Sequence, residues 1–355
     1  MQITRVEVTP IELKLAHPVQ IARIEPIEFV AAIFIRFETR DGISAWGCTI
    51  AHPDLNNTDP EQALDACRDA AELVPDLHPT QIEYSLERLA AVTQAAPTAL
   101  CAFDLAYHDL LGYMTGLPLF RLLGGYRNRI PSSATLPIEP LEPAIERARK
   151  LTSAGFRILK IKGGLDAEED VHRIKALQRA FPAVTLRLDP DGGYTVRDAL
   201  SVARQLDGVI EMLEQPTAHD DLEALGDTTR QSPVPILADQ CADEPERALK
   251  VAANKLAHGI CIKVATCGGI RPARQMNDLA RVAKLRTMVS CLIEPAMLIA
   301  AGLGVALSSP NVSYCDLDGH LDLVNDPSQP GFRLEEGDLV APEVPGLGCR
   351  FDLGG

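Results

Sequence analysis

Five short apolar segments in the middle of the chain, each ending in charged residues, recur at an almost constant interval. They are residues 159–164, 186–189, 211–216, 236–240 and 259–264. Asp189, Glu214, Asp239 and Lys263 follow one another at intervals of 25, 25 and 24 residues. A β/α barrel gives such a period, because each unit needs a strand, a loop, a helix and a return loop, and active-site groups collect at the C-terminal strand ends. The interval therefore predicts that carboxylates and lysines converge on one barrel mouth.

The period extends in both directions to eight strands, with the seventh expected at 288–293. Residues 1–125 do not share it, since strand-like patterns are followed there by helical ones, as in an α+β domain. We therefore predict an α/β protein, a modified (β/α)8 TIM-like barrel with an N-terminal α+β capping domain. The expected division is 1–125 for the capping domain, 126–320 for the barrel, and 321–355 for a segment that packs back on the capping domain.

Composition excludes several functional classes. A formal net charge of −15 argues against nucleic-acid and anionic-membrane binding, which need basic surface. The apolar runs are shorter than the roughly 20 residues of a membrane span. Nine scattered cysteines without a C-x-x-C pair argue against a disulfide framework and a zinc site. The N-terminus has no signal-peptide pattern, so we expect a cytoplasmic protein.

Three acidic residues at matched strand ends are candidate metal ligands. Asp189, Glu214 and Asp239 would place carboxylate oxygens side by side, which suits a hard cation such as Mg²⁺. A single acidic residue there could simply cap the following helix. Three acidic residues at one spacing favour a metal site over helix capping.

Lysines at two strand ends are candidate acid/base groups. Lys160 and Lys162 are two residues apart on one strand and would share a face, with Leu159 and Ile161 on the helix side. Lys263 lies four strands further round, roughly across the barrel. Partial desolvation beside other cations predicts a lowered pKa, which suits a base near neutral pH. The alternative is that these lysines only form ion pairs with the three carboxylates.

The last barrel strands carry candidate substrate contacts. Asp316 and Asp318 share a face and could receive a cationic group such as an ammonium, although loop capping explains them about as well. Glu294 follows the seventh strand and is expected to face the mouth. Thr135, on the first strand, could contact polar substrate atoms.

These segments together resemble the muconate-lactonizing subgroup of the enolase superfamily. The resemblance rests on Lys160-Ile161-Lys162, Asp189, Glu214-Gln215-Pro216, Ala238-Asp239, Ile262-Lys263 and Gly268-Gly269, and in the first domain on residues 99–104, 116–119 and 122–125. It implies Mg²⁺ held by Asp189, Glu214 and Asp239, with Lys162 and Lys263 as the acid/base pair. It also implies that Lys160 adjusts the pKa of Lys162 and contacts the substrate carboxylate. Removal of the α-proton would then give an ene-diolate.

Within the subgroup, residues 316–319 are similar to the D-x-D motif of dipeptide epimerases, whose aspartates hold the ammonium of an L-Ala-D/L-Glu-type dipeptide. The resemblance thus implies a Mg²⁺-dependent racemase or epimerase acting on a small carboxylate substrate, expected to be a dipeptide. We also expect a homo-oligomer. Three departures from the subgroup pattern bear on the substrate. Gln240 stands where Glu is usual, Asp191 where Asn is common, and Thr266 where Lys is frequent.

Other functions remain open from sequence. A muconate cycloisomerase or o-succinylbenzoate synthase would use the same ene-diolate with a single essential lysine. Epimerases of N-acylamino acids or proline betaines would keep both lysines without an ammonium site. The non-enzymatic alternative is a catalytically silent barrel that only binds a carboxylate.

Overall fold

A three-stranded antiparallel sheet opens the chain, and its strand order follows the sequence. Its strands are β1 (Ile3–Val19), β2 (Ile27–Thr39) and β3 (Ser44–Ala51). The structure, a computed structural model, describes residues 2–352. Met1 and residues 353–355, the end of the predicted C-terminal segment, lie outside the described residues.

Helices cover one face of this sheet and enclose the core of the N-terminal domain. They are α1 (Pro53–Asn56), α2 (Pro60–Leu73), a 3-10 turn at Val74–Asp76, α3 (Ile82–Ala90), α4 (Ala99–Thr115) and α5 (Leu119–Leu122). Helix α2 starts with Pro60 after Asp59, whose side chain accepts a hydrogen bond from the Gln62 backbone N–H, a common helix start. Ile33, Phe37 and Phe103 are buried between sheet and helices.

Helix α4 is apolar nearly all round because it lies between the sheet and the barrel. On the sheet side, β3 approaches so closely that a Cβ at Gly47 would lie 1.9 Å from the Ala102 carbonyl oxygen, so only glycine fits there. On the barrel side, Asp104 Oδ2 accepts a hydrogen bond of 2.8 Å from the Arg271 backbone N–H. The helix therefore joins the two parts of the molecule.

Eight parallel strands form the barrel, in sequence order around the sheet. After β4 (Arg129–Pro131) come β5 (Ser133–Leu136), β6 (Ile158–Lys162), β7 (Thr185–Asp189), β8 (Ile210–Glu214), β9 (Ile236–Ala238), β10 (Gly259–Lys263), β11 (Arg286–Ser290) and β12 (Val312–Asp316). Side chains bridge the seam between the two end strands. Ser132 Oγ accepts a hydrogen bond of 3.0 Å from Leu317 N–H, and Ser133 Oγ donates one of 3.3 Å to the Cys315 carbonyl.

Helices between the strands form the outer layer. They are α6 (Leu141–Ser153), α7 (Ala167–Ala180), α8 (Val196–Gln205), α9 (Leu222–Gln231), α10 (Pro245–Ala253), α11 (Val264–Cys267), α12 (Ile270–Val282) and α13 (Ala296–Ser308), with a 3-10 turn at Gln240–Ala242. Asp166, Thr195 and Asp221 cap α7, α8 and α9 by accepting backbone hydrogen bonds in the first turn. Each helix therefore begins just after a βα loop, which leaves the strand ends free for other side chains.

The C-terminal residues contact both parts of the molecule. Their strands are β13 (Ser328–Gln329), β14 (Arg333–Glu335), β15 (Asp338–Val340) and β16 (Arg350–Phe351). Strand β15 pairs with β4 beside the barrel. The Phe351 ring stacks on Trp46 of β3 with centroids 3.9 Å apart.

The predicted barrel with an N-terminal antiparallel domain is confirmed. The seventh strand was placed too late, because β11 ends at Ser290 and residues 291–293 leave the sheet to line a cavity. Among residues 2–352, no helix is long and apolar enough to cross a membrane.

Candidate active site

The C-terminal strand ends bring most of the predicted polar residues to one mouth. Strand β6 contributes Lys160 and Lys162, β7 Asp189, β8 Glu214, β10 Lys263 and β12 Asp316, while Asp239 follows β9 and Asp318 follows β12. Side chains two residues apart on a strand point the same way. Lys160 and Lys162 accordingly face the interior, while Leu159 and Ile161 are fully buried toward the helices.

Lys160 lies at the centre of the mouth and is almost completely buried. Its Nζ is 3.4 Å from Asp189 Oδ2 and 3.6 Å from Glu214 Oε2, and it forms a close ion pair with Asp316. A buried ammonium needs such partners, because desolvation of an unpaired charge is costly.

Lys162 and Lys263 reach the mouth from opposite sides. Lys162 Nζ donates to Asp189 Oδ2 at 2.8 Å and to both carboxylate oxygens of Asp191, at 3.0 and 2.8 Å. Lys263 Nζ pairs with Asp239. Strands β6 and β10 are four positions apart in the sheet, as the sequence predicted.

The predicted lowering of the lysine pKa values is wrong. Burial lowers the pKa of Lys160, Lys162 and Lys263, but the surrounding carboxylates outweigh it and hold each pKa well above its usual range. Burial and neighbouring cations would lower the pKa values, but each of these three lysines also lies within ion-pair distance of at least one carboxylate, which raises them.

Glu214 is the carboxylate that most needs a cation. It is buried, both of its oxygens lack a hydrogen-bond partner among residues 2–352, and its ion-pair contact there is Lys160. Burial, with the neighbouring charge of Asp189, raises the pKa of Glu214 to about 8. Two orphaned oxygens at this position are the donor chemistry that a hard divalent ion takes up.

The side-chain atoms that lie close enough together to hold a metal ion differ slightly from the predicted set. Among the described residues, atoms of Glu214, Asp239 and Cys261 all lie within 4.8 Å of one another. Asp189 is outside that cluster, and its Oδ2 faces Lys160 and Lys162 instead. The three predicted carboxylates nevertheless end adjacent strands β7, β8 and β9, so their donor set fits Mg²⁺.

Asp316, the last residue of β12, and Asp318, two residues later, differ in what they contact. Asp316 is fully buried, accepts a hydrogen bond from Ser133 Oγ and pairs with Lys160. Asp318 accepts a hydrogen bond from the Thr135 backbone N–H and borders the cavity. Burial and the nearby Asp316 raise the pKa of Asp318 to about 6. Both aspartates line the cavity, but Asp316 is already paired with Lys160, so Asp318 is better placed to meet a ligand cation.

Glu294 was predicted to face the mouth, but it does not line the cavity. Its side chain is buried, Oε2 accepts a hydrogen bond of 3.3 Å from Leu292 N–H, and burial raises its pKa to about 8. Residues 291–293 line the cavity in its place. The turn after β11 folds Glu294 back under the loop, a detail that strand spacing could not give.

A cavity of about 330 Å³ lies over the mouth, between the barrel and the N-terminal domain. The barrel side includes Lys160, Lys162, Lys263, Asp191, Gln240, Asp316, Asp318 and Thr135; the N-terminal side includes Leu15, Val19, Ile21, Ala22, Arg23, Ile24, Asp54 and Leu55. The volume lies within the range of small-ligand sites.

The loop between β1 and β2 is held over the mouth by contacts with the barrel. The Gln20 carbonyl accepts a hydrogen bond of 3.2 Å from Ile138 N–H, and Arg23 donates to the Gly192 carbonyl at 3.4 Å. Gly164 packs so close to Pro190 and Ala22 that a Cβ there would clash. Leu55, His219 and residues 291–293 also line the cavity, and the sequence did not predict them because they carry no charge pattern or period.

The chain matches known protein families over most of its length. A family model described as "Mandelate racemase / muconate lactonizing enzyme, N-terminal domain" matches residues 3–124, and one described as "Enolase C-terminal domain-like" matches residues 144–354.

Curated relatives and solved structures agree with those matches. An L-Lys-D/L-Arg epimerase from Desulforapulum autotrophicum is 34% identical, covering 99% of this chain and 99% of its own. A hydrophobic dipeptide epimerase from Enterococcus faecalis is 32% identical, covering 98% of this chain and 99% of its own. A dipeptide epimerase from Methylococcus capsulatus, complexed with Mg and the dipeptide L-Arg-D-Lys, superposes with a TM-score of 0.93 and 31% identity. That match covers 99% of this chain and 100% of the other.

Proposed function

Because the chain belongs to the mandelate racemase / muconate lactonizing enzyme family of the enolase superfamily, we propose that it is a Mg²⁺-dependent dipeptide epimerase. The family predicted from the sequence is thereby confirmed. One observation carries the proposal. Two lysines from opposite sides of the barrel border a single cavity, which also contains a carboxylate suited to an ammonium and lies above three buried acidic residues.

The two lysines account for epimerisation. Lys162 on β6 and Lys263 on β10 face each other across the mouth, so one can remove the α-proton of the substrate and the other can return a proton on the opposite face. A lysine removes a proton only as a neutral amine. Because carboxylates hold the pKa of both lysines high, deprotonation of either one requires its ion pairs to weaken.

The three strand-end carboxylates are proposed to hold the metal. Asp189, Glu214 and Asp239 would bind Mg²⁺, and the orphaned oxygens of Glu214 support this assignment. The ion supplies positive charge where the substrate carboxylate acquires a second negative charge. Lys160 lies between these carboxylates and the cavity, so its ammonium can meet the same charge from the protein side.

A free-amine dipeptide is the proposed substrate. Asp318 and Thr135 border the cavity on the β5–β12 side, where a carboxylate can receive the substrate ammonium. The relatives are named for dipeptides with different side chains, so the dipeptide backbone is what we carry over. A lyase of the same family needs only one proton-transferring lysine, and the presence of two supports the epimerase.

Chiral chromatography tests this function. The 355-residue chain is incubated with Mg²⁺ and single stereoisomers of several L,L-dipeptides. We expect the L,D isomer to accumulate until both are present, and we expect none after chelation of the metal. Formation of an elimination or cyclisation product without the second isomer would replace the epimerase with a lyase.

Three expectations stay predictions. The division into 1–125, 126–320 and 321–355 is supported by the stacking of Phe351 on Trp46, which joins the C-terminal segment to the capping domain. The cytoplasmic location and the homo-oligomeric assembly rest on the sequence reasoning alone.

A further inference from the structure

Lys162 has a carboxylate partner to which the proposed mechanism gives no role. Asp191 contacts the Lys162 ammonium with both oxygens, at 2.8 and 3.0 Å, while Asp189 contributes one oxygen at 2.8 Å. Asp189 is also a proposed metal ligand. Asp191 is thus the carboxylate contact of Lys162 that metal binding does not share.

Asp191 is itself fixed by its surroundings. Gln240 Nε2 donates a hydrogen bond of 3.0 Å to Asp191 Oδ1, and the Asp191 backbone N–H donates to Asp189 Oδ1 at 3.2 Å. Its φ of 47° is in the left-handed region, which a non-glycine residue adopts at a cost and keeps only when its surroundings hold it. The Gln240 Oε1 atom is buried without a hydrogen-bond partner, so the amide is oriented by its bond to Asp191.

The other proposed base is held differently. Within the part of the chain that the structure describes, Lys263 has an ion pair with Asp239 alone. Gln240, the residue after Asp239, reaches toward Asp191 rather than toward Lys263. Hydrogen bonds therefore connect Gln240 through Asp191 to Lys162, whereas Lys263 has no corresponding support among the described residues.

We propose that Asp191 is a positioning residue for Lys162 and that Gln240 fixes Asp191 in place. The inference rests on the proposed function, since it assigns Lys162 one of two proton-transfer roles. Two carboxylate oxygens on one ammonium restrict where Nζ lies, and a proton-transfer group displaced by about 1 Å can lose a hundredfold in rate. The loss of Asp191 should therefore affect the stereoisomer that Lys162 deprotonates and spare the one that Lys263 deprotonates.

The experiment measures α-proton exchange in D₂O separately for the L,L and L,D isomers of one dipeptide, with Mg²⁺ present. Lys162→Ala identifies the isomer that depends on Lys162. We expect Asp191→Asn to slow exchange of that isomer by about 10-fold to 100-fold and to leave the other within about 2-fold. Gln240→Met, which leaves the Asp191 carboxylate in place, should slow the same isomer by a smaller factor. It also serves as the test if Asp191→Asn does not fold.

The matched control is Asp69→Asn, an exposed aspartate of α2 that does not border the cavity. It should slow neither isomer selectively. Calorimetry should show Mg²⁺ binding to Asp191→Asn within about 2-fold of the wild-type affinity. Equal slowing of both isomers, no slowing of either, or a matching loss of Mg²⁺ affinity would each overturn the positioning role while leaving the epimerase intact. A wild-type chain that exchanges no dipeptide proton would overturn both proposals.

Discussion

The two walls of the cavity, the barrel mouth and the N-terminal loops that face it, are built differently. At the mouth, charged side chains such as Lys160 and Asp189 are buried and each is fixed by an opposite charge. On the opposite wall, Ile21 and Ile24 of the β1–β2 loop and Leu55 of the short helix α1 are apolar and only partly buried. Fixed charges determine which bond can be broken, whereas an apolar loop surface determines which side chain fits. Changes at the mouth should therefore alter the reaction, and changes on the loop wall should alter the choice of substrate.

The largest effect should come from removing a proton-transfer group at the mouth. Lys162→Ala and Lys263→Ala should each lower the rate of dipeptide epimerisation by about 10²-fold to 10⁴-fold, the usual contribution of a positioned acid or base. Each variant should still exchange the α-proton of one stereoisomer, and the two variants should retain opposite isomers. The control is Lys150→Ala, on the exposed surface of α6. If both lysine variants kept full epimerisation, the two-base assignment would be lost.

Removal of a proposed metal ligand should come next. Glu214→Gln should weaken Mg²⁺ binding by about 10-fold or more and lower activity in parallel, because a neutral amide is a poorer ligand for a hard cation. Without metal, the same variant should be at least as thermally stable as the wild type, since it removes a buried carboxylate whose oxygens lack hydrogen bonds.

Isothermal calorimetry and thermal melts measure the two effects of Glu214→Gln. Glu223→Gln on the surface of α9 is the control. Unchanged Mg²⁺ affinity in Glu214→Gln would remove this residue from the ligand set.

A smaller effect is expected from the ammonium contact. Asp318→Asn should raise KM for free-amine dipeptides by about 10-fold and change kcat less, because the interaction lost is a charge-assisted hydrogen bond in the bound substrate. Asp316 is a poorer choice for this test, since its pairing with Lys160 would be broken too. Steady-state kinetics on Asp322→Asn, an exposed carboxylate bordering the same cavity, provide the comparison. Equal KM values for all three proteins would refute the ammonium role of Asp318.

The loop wall should change preference rather than chemistry. Ile24→Ala should alter the ratio of kcat/KM between two dipeptides of different side-chain size by about 10-fold, which is the scale of a few methylene groups in a pocket. The kcat for the better substrate should stay within about 3-fold. Leu165→Ala, at an exposed position outside the cavity, should change neither value. A general loss of kcat with an unchanged ratio would place Ile24 in the catalytic machinery and blur the contrast between the two walls.

The smallest effect on activity should come from a buried carboxyl remote from the mouth. Asp109 accepts backbone hydrogen bonds from Trp46 at 2.9 Å and Leu347 at 2.7 Å, and burial raises its pKa to about 7 from 3.8. Between these pH values the folded chain keeps a proton that the unfolded chain has lost. The stability contributed by this group therefore falls as pH rises through that window, by at most about 4 kcal/mol, and is constant above it.

Denaturant unfolding at several pH values tests the Asp109 prediction. The free energy of unfolding of wild type relative to Asp109→Asn should decline between about pH 4 and pH 7, while activity is unchanged. A difference that does not vary with pH would show that Asp109 titrates alike in both states.

Sequence predicted the mouth far better than the wall, for a physical reason. Alternation along a strand and the length of a βα unit fix where Lys162, Asp189 and Glu214 point, so a periodic pattern predicts their meeting. Ile24 and His219 reach the cavity on loops, whose paths depend on contacts distant in sequence. Glu294 was predicted to face the mouth because it follows a strand, yet the turn after β11 buries it.

The ionisation of the site was the other part that sequence could not supply. The pKa values of the lysines depend on whether carboxylates such as Asp191 and Asp316 lie within ion-pair distance, which strand order alone does not tell. The sequence showed that Gln240 replaces the usual Glu and Asp191 the common Asn of the subgroup. Only the structure shows the hydrogen bond between these two side chains.

Deuterium uptake at the α-carbon tests the central claim most directly. The 355-residue chain is incubated with Mg²⁺ in D₂O with pools of free-amine dipeptides, N-acylamino acids and betaines, which are then analysed by mass spectrometry. We predict a gain of one mass unit confined to free-amine dipeptides, absent after chelation and absent in a Lys162→Ala/Lys263→Ala double variant. Uptake only in acylated or betaine substrates would contradict the role of Asp318, and no uptake in any pool would contradict the proposed epimerase.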